Sequence, residues 1–452
     1  MNGNFLGWLS IVRLGLVQTA LGAIVVLTTS TLNRVMVVEM AMPAMVPGAL
    51  VALHYGVQML RPRLGYGSDV GGRRTPWIIG GMAVLALGGV GGAVATVLMG
   101  INPAVGIALA VAAFTLIGLG VGAAGTSLLV LLAKRVQPER RAAAATVAWI
   151  MMILGFVVTA SVAGALLDPF SPVRLVGVTM AVAMIALVVT LLAVVGIEGR
   201  HAPLAHRVGT LKAAAAGEPS FRSALSQVWS EPRARRFTLF VFVSMLAYSA
   251  QDLILEPFAG SVFGFSPGQS TRLSGVQHAG VLIGMLSVAV AGSGFVRGRF
   301  GAMSSWTIGG CIASSIAFIS LTMAAHVGPA WPLRISVFGL GFANGVFAVA
   351  AIASMMALAG AGREAREGVR MGLWGAAQAV AFGLGGFTGT AVVDAARMLL
   401  GNAATAYAIV FAGEAVLFVA AGILAARVGR PADARQRTAI SAVGASYLVG
   451  EG

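Results

Sequence analysis

Arg34, Glu39, Asp252, Glu256 and Glu414 stand in or at the ends of runs that are otherwise apolar. A charge at membrane depth is expensive to keep and is usually paired or functional, so chemistry is sought here first. Asp252 and Glu256 are spaced i, i+4, which puts both carboxylates on one face of a helix. At 1.5 Å per residue Arg34 lies roughly 32 Å along its helix from Arg13, and Asp252 and Glu256 lie roughly 24 and 30 Å from Arg236. All three, with Glu39, therefore fall near one mouth of the molecule. Either Arg34 meets Asp252 or Glu256 there and closes it, or each group is a separate cap or local pair. Glu414 sits mid-run without an evident counter-charge, either as a neutral acid bonded to a neighbouring helix or as a proton-coupling or ligand-binding group. His54 and His278 are intramembrane imidazoles, and Gln58 lies one turn from His54. An imidazole nitrogen is a good axial ligand for the magnesium of a chlorophyll-type pigment; it is equally a hydrogen-bonded packing group.

The elements that position these residues are apolar helices. The 452 residues are 58% hydrophobic and 10% charged, with a mean hydropathy of +0.91. No soluble domain hides that much apolar surface. About 20 apolar residues cross the hydrocarbon layer as a helix, which predicts spans at 14–38, 44–60, 77–99, 104–132, 142–167, 173–195, 237–258, 273–295, 304–325, 333–360, 371–396 and 403–426. The strict alternation of a membrane barrel is missing. The expected fold class is an all-α membrane protein with twelve transmembrane helices in two six-helix halves.

The net charge of +15 raises the idea of nucleic acid, and the placement of the basic residues removes it. Only Arg34, Arg174, Arg272, Arg334 and Arg397 fall near the odd-numbered connections; every other one of the 30 lysines and arginines lies on the terminal segments or the even-numbered connections. The positive-inside rule then puts both termini in the cytoplasm of a bacterial inner membrane. Arg34, Glu39, Asp252 and Glu256 become a periplasmic charge cluster, and the basic side also suits anionic membrane lipids. The opening MNGNFLGWLSIV has no basic n-region or small-residue cleavage site, so no removable signal is expected. The single cysteine, Cys311, excludes an intramolecular disulfide.

The polar connection 196–236 divides the expected organisation: an N-terminal half 1–195, the cytoplasmic linker, a C-terminal half 237–427 and a tail 428–452. The halves echo each other, with Gly118-Leu119-Gly120 in span four and Gly339-Leu340-Gly341 in span ten, as in duplicated transporter folds. The GVGAAG at 120–125 follows no strand and reads as helix packing rather than a dinucleotide fingerprint. Glycine pairs in span three, Gly80-Gly81, Gly88-Gly89 and Gly91-Gly92, serve either internal packing or lateral docking of a partner helix. No nucleophile–base arrangement, phosphate loop or Cys/His metal spacing is present, so enzymatic activity is not expected.

GYGSDVGGRRTP at 65–76 resembles the cytoplasmic loop signature of the major facilitator superfamily through Gly65, Asp69, Gly72, Arg73 and Arg74. The second-half counterpart is eroded to Arg297-Gly298-Arg299-Phe300-Gly301 and has no aspartate. More specific are LNRVMVVE at 32–39, ALHYGVQMLRPRLGYGSD at 52–69 and AYSAQDLILEPFAG at 247–260, which resemble the PucC/LhaA family of phototrophic bacteria over essentially the whole chain. That resemblance implies a major facilitator fold and an assembly factor for a light-harvesting complex. Its implied partners are antenna polypeptides and bacteriochlorophyll synthase, its implied pigment bacteriochlorophyll a. The alternatives left by the residues are a proton-coupled transporter of a small solute and a structural antenna scaffold. The sparse polar lining of spans one, four, seven and ten, Gln18, Thr28, Thr29, Asn33, Thr126 and Asn344, favours an apolar pigment or no transported substrate.

Overall fold

The computed structural model describes residues 6–60, 73–137, 140–198, 229–292, 303–360 and 367–429. Among them the chain forms twelve helices: α1 (Trp8–Glu39), α2 (Met45–Val57), α3 (Thr75–Met99), α4 (Pro103–Arg135), α5 (Arg141–Leu166), α6 (Pro172–Val194), α7 (Pro232–Phe263), α8 (Pro267–Gly292), α9 (Met303–Val327), α10 (Leu333–Gly360), α11 (Glu367–Leu400) and α12 (Ala403–Gly429). Eleven are long and apolar enough to cross a membrane; α2 is shorter and continues into a tight turn at Gln58–Leu60. The protein is an all-α, multi-pass membrane protein.

Sequence-encoded stops and starts set the boundaries. Asn102 and Ser171 accept hydrogen bonds from the backbone N–H groups of Val105 and Arg174, each just before a proline that needs no N–H partner. Gly264 takes a left-handed conformation (φ 70°) and ends α7. That helix begins at Pro232, inside the segment expected as linker, because Ala234 and Phe237 are buried and draw the chain into the helix early.

The packing repeats after a shift of six helices. In the N-terminal half α3 packs on α4 and α6, α1 on α5 and α6, and α2 on α4. The equivalent pairs in the C-terminal half are α9 with α10 and α12, α7 with α11 and α12, and α8 with α10. Between the halves α2 meets α11, α5 meets α8, and α1 meets α7, three contacts that an approximate two-fold axis exchanges or maps onto themselves. The two cores differ in filling. Phe237, Phe240, Phe258, Phe318, Phe347 and Phe411 pack the C-terminal core, whereas aliphatic and small side chains dominate the N-terminal one.

The span-three glycines serve this internal packing. A Cβ on Gly81 would lie 2.6 Å from the Ala124 backbone, one on Gly88 2.8 Å from that of Ile117, and one on Gly89 2.8 Å from Ile24. Only Gly80 of the six has open space at its Cβ position. Of the two expectations for these glycines, internal packing is the one observed, with Gly81 and Gly88 against α4 and Gly89 against α1.

Candidate functional site

The seam between the halves gathers most of the buried polar groups. In α1 the regular helix widens into π-helical turns at Leu27–Thr31 and Val35–Glu39, a distortion that re-aims side chains and recurs at functional sites. Ser30 Oγ lies 3.2 Å from Ser274 Oγ, and Thr31 Oγ1 lies 3.0 Å from Thr271 Oγ1. Asn33 Nδ2 donates to the carbonyl of Leu253 in α7, and Arg34 Nη2 donates to that of Phe265 at 2.6 Å. Four polar residues of the first helix thus grip the other half.

Arg34 is 2% exposed and pairs with Glu39 of its own helix. The expected alternative of a local pair is the one observed; neither Asp252 nor Glu256 forms an ion pair with it. Glu256 stands nearby but accepts from Thr271 Oγ1 at 3.5 Å. The guanidinium fits because Gly260 has no side chain: a Cβ there would sit 3.0 Å from Arg34 Nη2.

Two aspartates complete the closure of this end, and neither was singled out from sequence. Asp394 of α11 accepts from the backbone N–H groups of Ala44 and Met45 at 3.0 and 2.7 Å, capping α2 from the opposite half. Asp168, just beyond α5, accepts from Ser266 Oγ at 2.6 Å and from Arg272 Nη2 at 2.5 Å at the start of α8. Ser266 and Gln269 form a capping box there. The two clamps are related by the exchange of halves. The signal available in sequence was an acidic residue near the end of the fifth span of each half.

Farther in, Gln251 Oε1 accepts from Asn344 Nδ2 at 3.0 Å, and Asn344 Oδ1 accepts from Ser314 Oγ at 2.8 Å. Glu414 is 2% exposed and has no hydrogen-bond donor on either carboxyl oxygen among the described residues. Asp252 is partly exposed.

The histidines occupy related places. His54 is on α2, where a Cβ on Gly118 of α4 would lie 2.7 Å from its carbonyl; in α8 the carbonyl of Gln277, next to His278, stands likewise against Gly341 of α10. Gln58 Nε2 lies 2.8 Å from His54 Nε2, so the amide donates into the lone pair that a metal would need. His278 is arranged differently. Its Nδ1 donates to the Ser274 carbonyl at 2.8 Å, no hydrogen bond to its Nε2 is formed among the described residues, and its ring meets Phe156 of α5 edge-on at 4.8 Å. A backbone-tethered Nδ1–H with a bare Nε2 is the usual state of a metal-ligating imidazole.

At the opposite end, Arg73 is exposed, and the carboxylate of Glu198 accepts from the backbone N–H groups of Arg74 and Thr75 at 2.8 and 2.7 Å. It caps α3, while Arg13 donates to the carbonyls of Leu192 and Val195 at the end of α6. Gly65, Asp69 and Gly72 lie outside the described residues.

This fold is that of the major facilitator superfamily. The chain superposes on a D-xylose–proton symporter with a TM-score of 0.69 at 14% identity, covering 92% of this chain and 96% of that one. It matches a peptide transporter, POT, in complex with alafosfalin at 0.66 and 16% identity, covering 94% and 97%. Within that fold the chain belongs to the PUCC protein family, whose model matches residues 31–432. A Rhodobacter capsulatus relative named bacteriochlorophyll synthase 44.5 kDa chain is 53% identical over 94% of this chain and 96% of its own length. Protein PucC of the same organism is 29% identical over 91% and 90%. The expectation that the chain has no enzymatic activity is corrected by the first of these names, which is that of a chain of an enzyme. A chain of an enzyme can lack nucleophiles, phosphate loops and metal spacings of its own.

Proposed function

We propose that the chain is an assembly factor for a bacterial light-harvesting complex, working beside bacteriochlorophyll synthase and holding antenna polypeptides while they receive bacteriochlorophyll a. It would sit in the inner (intracytoplasmic) membrane with both termini in the cytoplasm, the side on which its basic residues concentrate. The observation that carries the pigment part is His278, whose Nδ1 is tethered to Ser274 and whose Nε2 is free of hydrogen bonds among the described residues. The magnesium of a bound bacteriochlorophyll would accept that nitrogen as axial ligand. His54 fits less well while Gln58 occupies its Nε2, so the pair His54/Gln58 is proposed as a packing contact. The name of the 53% identical relative supports the connection to bacteriochlorophyll.

The test is purification in mild detergent from a pigment-producing host, with an absorption spectrum and identification of co-purifying small polypeptides. His278→Phe is expected to remove most bound bacteriochlorophyll and leave the helix content unchanged; His54→Phe is expected to retain it. Wild-type protein free of pigment but bound to antenna polypeptide would end the carrier reading and leave a holding role.

A further inference from the structure

We propose that the cleft between the start of α3 and the end of α6 binds an aminophospholipid, a lipid whose headgroup carries both a phosphate and a primary ammonium. The idea is independent of the pigment reading. A cavity of about 260 Å³ lies there, bordered by Arg73 just before α3, by Glu198 just after α6, and by Ile79, Leu191 and Val194. It is smaller than the roughly 300–1,000 Å³ of a site for a drug-sized molecule, and so admits part of a lipid rather than a macrocyclic pigment.

Two opposite charges border this cavity without neutralising each other. Arg73 is exposed, and its guanidinium forms no ion pair or hydrogen bond among the described residues. The Glu198 carboxylate takes the backbone N–H groups of Arg74 and Thr75 on Oε2 alone, which leaves Oε1 without a donor among the described residues. A ligand bearing only a negative charge would meet Arg73 and be opposed by Glu198; one bearing only a positive charge would meet the reverse. A zwitterion answers both. Its phosphate oxygens accept charge-assisted hydrogen bonds from the guanidinium, and its ammonium donates an N–H to Glu198 Oε1, as a lysine head would. The general attraction of a basic membrane face for anionic lipid does not distinguish in this way.

The walls favour a lipid over a soluble zwitterion. Away from the two charges the lining is apolar through Ile79, Leu191 and Val194, and Leu192 and Val195 of the same α6 end are 67% and 66% exposed. An acyl chain laid along them makes apolar contacts that a soluble phosphoamine lacks. The level fits as well. Arg13, near the start of α1, donates to the carbonyls of Leu192 and Val195, so the cavity lies where the spans end and polar chain begins. A lipid held there ties the start of α3 to the end of α6 through Arg73 and Glu198.

Competition among lipids for the full-length protein in mild detergent tests this, read as retained lipid by native mass spectrometry and as a shift in melting temperature. The probes are phosphatidylethanolamine, phosphatidylcholine and phosphatidylglycerol with identical acyl chains, with soluble phosphoethanolamine as control. The ethanolamine lipid should be retained about tenfold more strongly than the choline lipid, whose quaternary nitrogen has no N–H, the factor expected for one charge-assisted hydrogen bond. It should also exceed the glycerol lipid, which has no cation. Arg73→Gln should lower its retention by about tenfold and leave the lipid-free melting temperature unchanged, because Arg73 is exposed. Glu198→Gln keeps an oxygen to cap α3 while removing the anion, and should erase the preference over the other two lipids. Equal retention of all three lipids would mean a general lipid belt and overturn the proposal. So would a glycerol lipid retained best and unaffected by Glu198→Gln, which would be simple attraction to a basic face. Phosphoethanolamine that raises the melting temperature as much as the lipid does would overturn the lipid in favour of a soluble ligand. If Glu198→Gln does not fold, Arg73→Gln and the wild-type ranking of the lipids decide.

Discussion

Asn33 of α1 donates its side-chain amide to the carbonyl of Leu253, the carbonyl four residues before Pro257, inside α7. A proline has no N–H to return to that carbonyl, so the helix would carry an orphaned acceptor at membrane depth. The other half of the molecule supplies the missing donor. The two sequence strings most specific to the family, around Asn33 and around Pro257, therefore meet in one hydrogen bond across the seam.

Asn33→Leu should destabilise the protein by about 1–3 kcal/mol, the cost of stranding a buried carbonyl. In a Pro257→Ala background, where the backbone N–H of residue 257 can take over, the same change should cost less. Denaturation of the four variants measures the coupling. Strictly additive effects would mean that the amide does not serve this carbonyl.

Arg34→Gln should couple to Glu39→Gln and much less to Asp252→Asn, because the observed ion pair is with Glu39. Glu39 is about a third exposed, and water weakens the pair, so a coupling of about 0.5–1 kcal/mol is expected from a double-mutant cycle. A larger coupling to Asp252 would restore the cross-cavity lock.

Asp394→Ala should cost about 1 kcal/mol, the usual loss when a helix N-terminus loses its cap. Combined with Asp168→Ala it should open this end of the seam. Distances between spin labels on α2 and α11, and on α5 and α8, should lengthen in the double variant; unchanged distances would show that apolar packing alone holds the end shut.

Gly88→Val should destabilise by about 1–3 kcal/mol, since its Cβ position already falls 2.8 Å from the α4 backbone. Gly80→Val, at an open position, should leave the melting temperature nearly unchanged. Equal effects of the two would contradict the α3–α4 seam.

Sequence alone determined the helices, because a chain that must satisfy every backbone group in lipid has few options, and apolar length reads directly as spans. It also drew attention to Arg34, Glu39, Asp252, Glu256, Glu414 and the two histidines, since polar atoms are conspicuous in an apolar run. What it could not decide was who meets whom. Helix arithmetic put Arg34 level with Glu256, yet the guanidinium turned to Glu39 and to a carbonyl, a choice made by Gly260 and the π-turns of α1 within a few ångströms. Asp168 and Asp394 were ordinary acids at span ends until the fold laid each against a helix N-terminus of the other half. The two histidines were equivalent on paper, and only tertiary hydrogen bonding separated them by occupying Nε2 in His54 and Nδ1 in His278. Composition and period are one-dimensional and fix the elements; pairing depends on register and rotation between helices distant in sequence, which are set when the two halves pack.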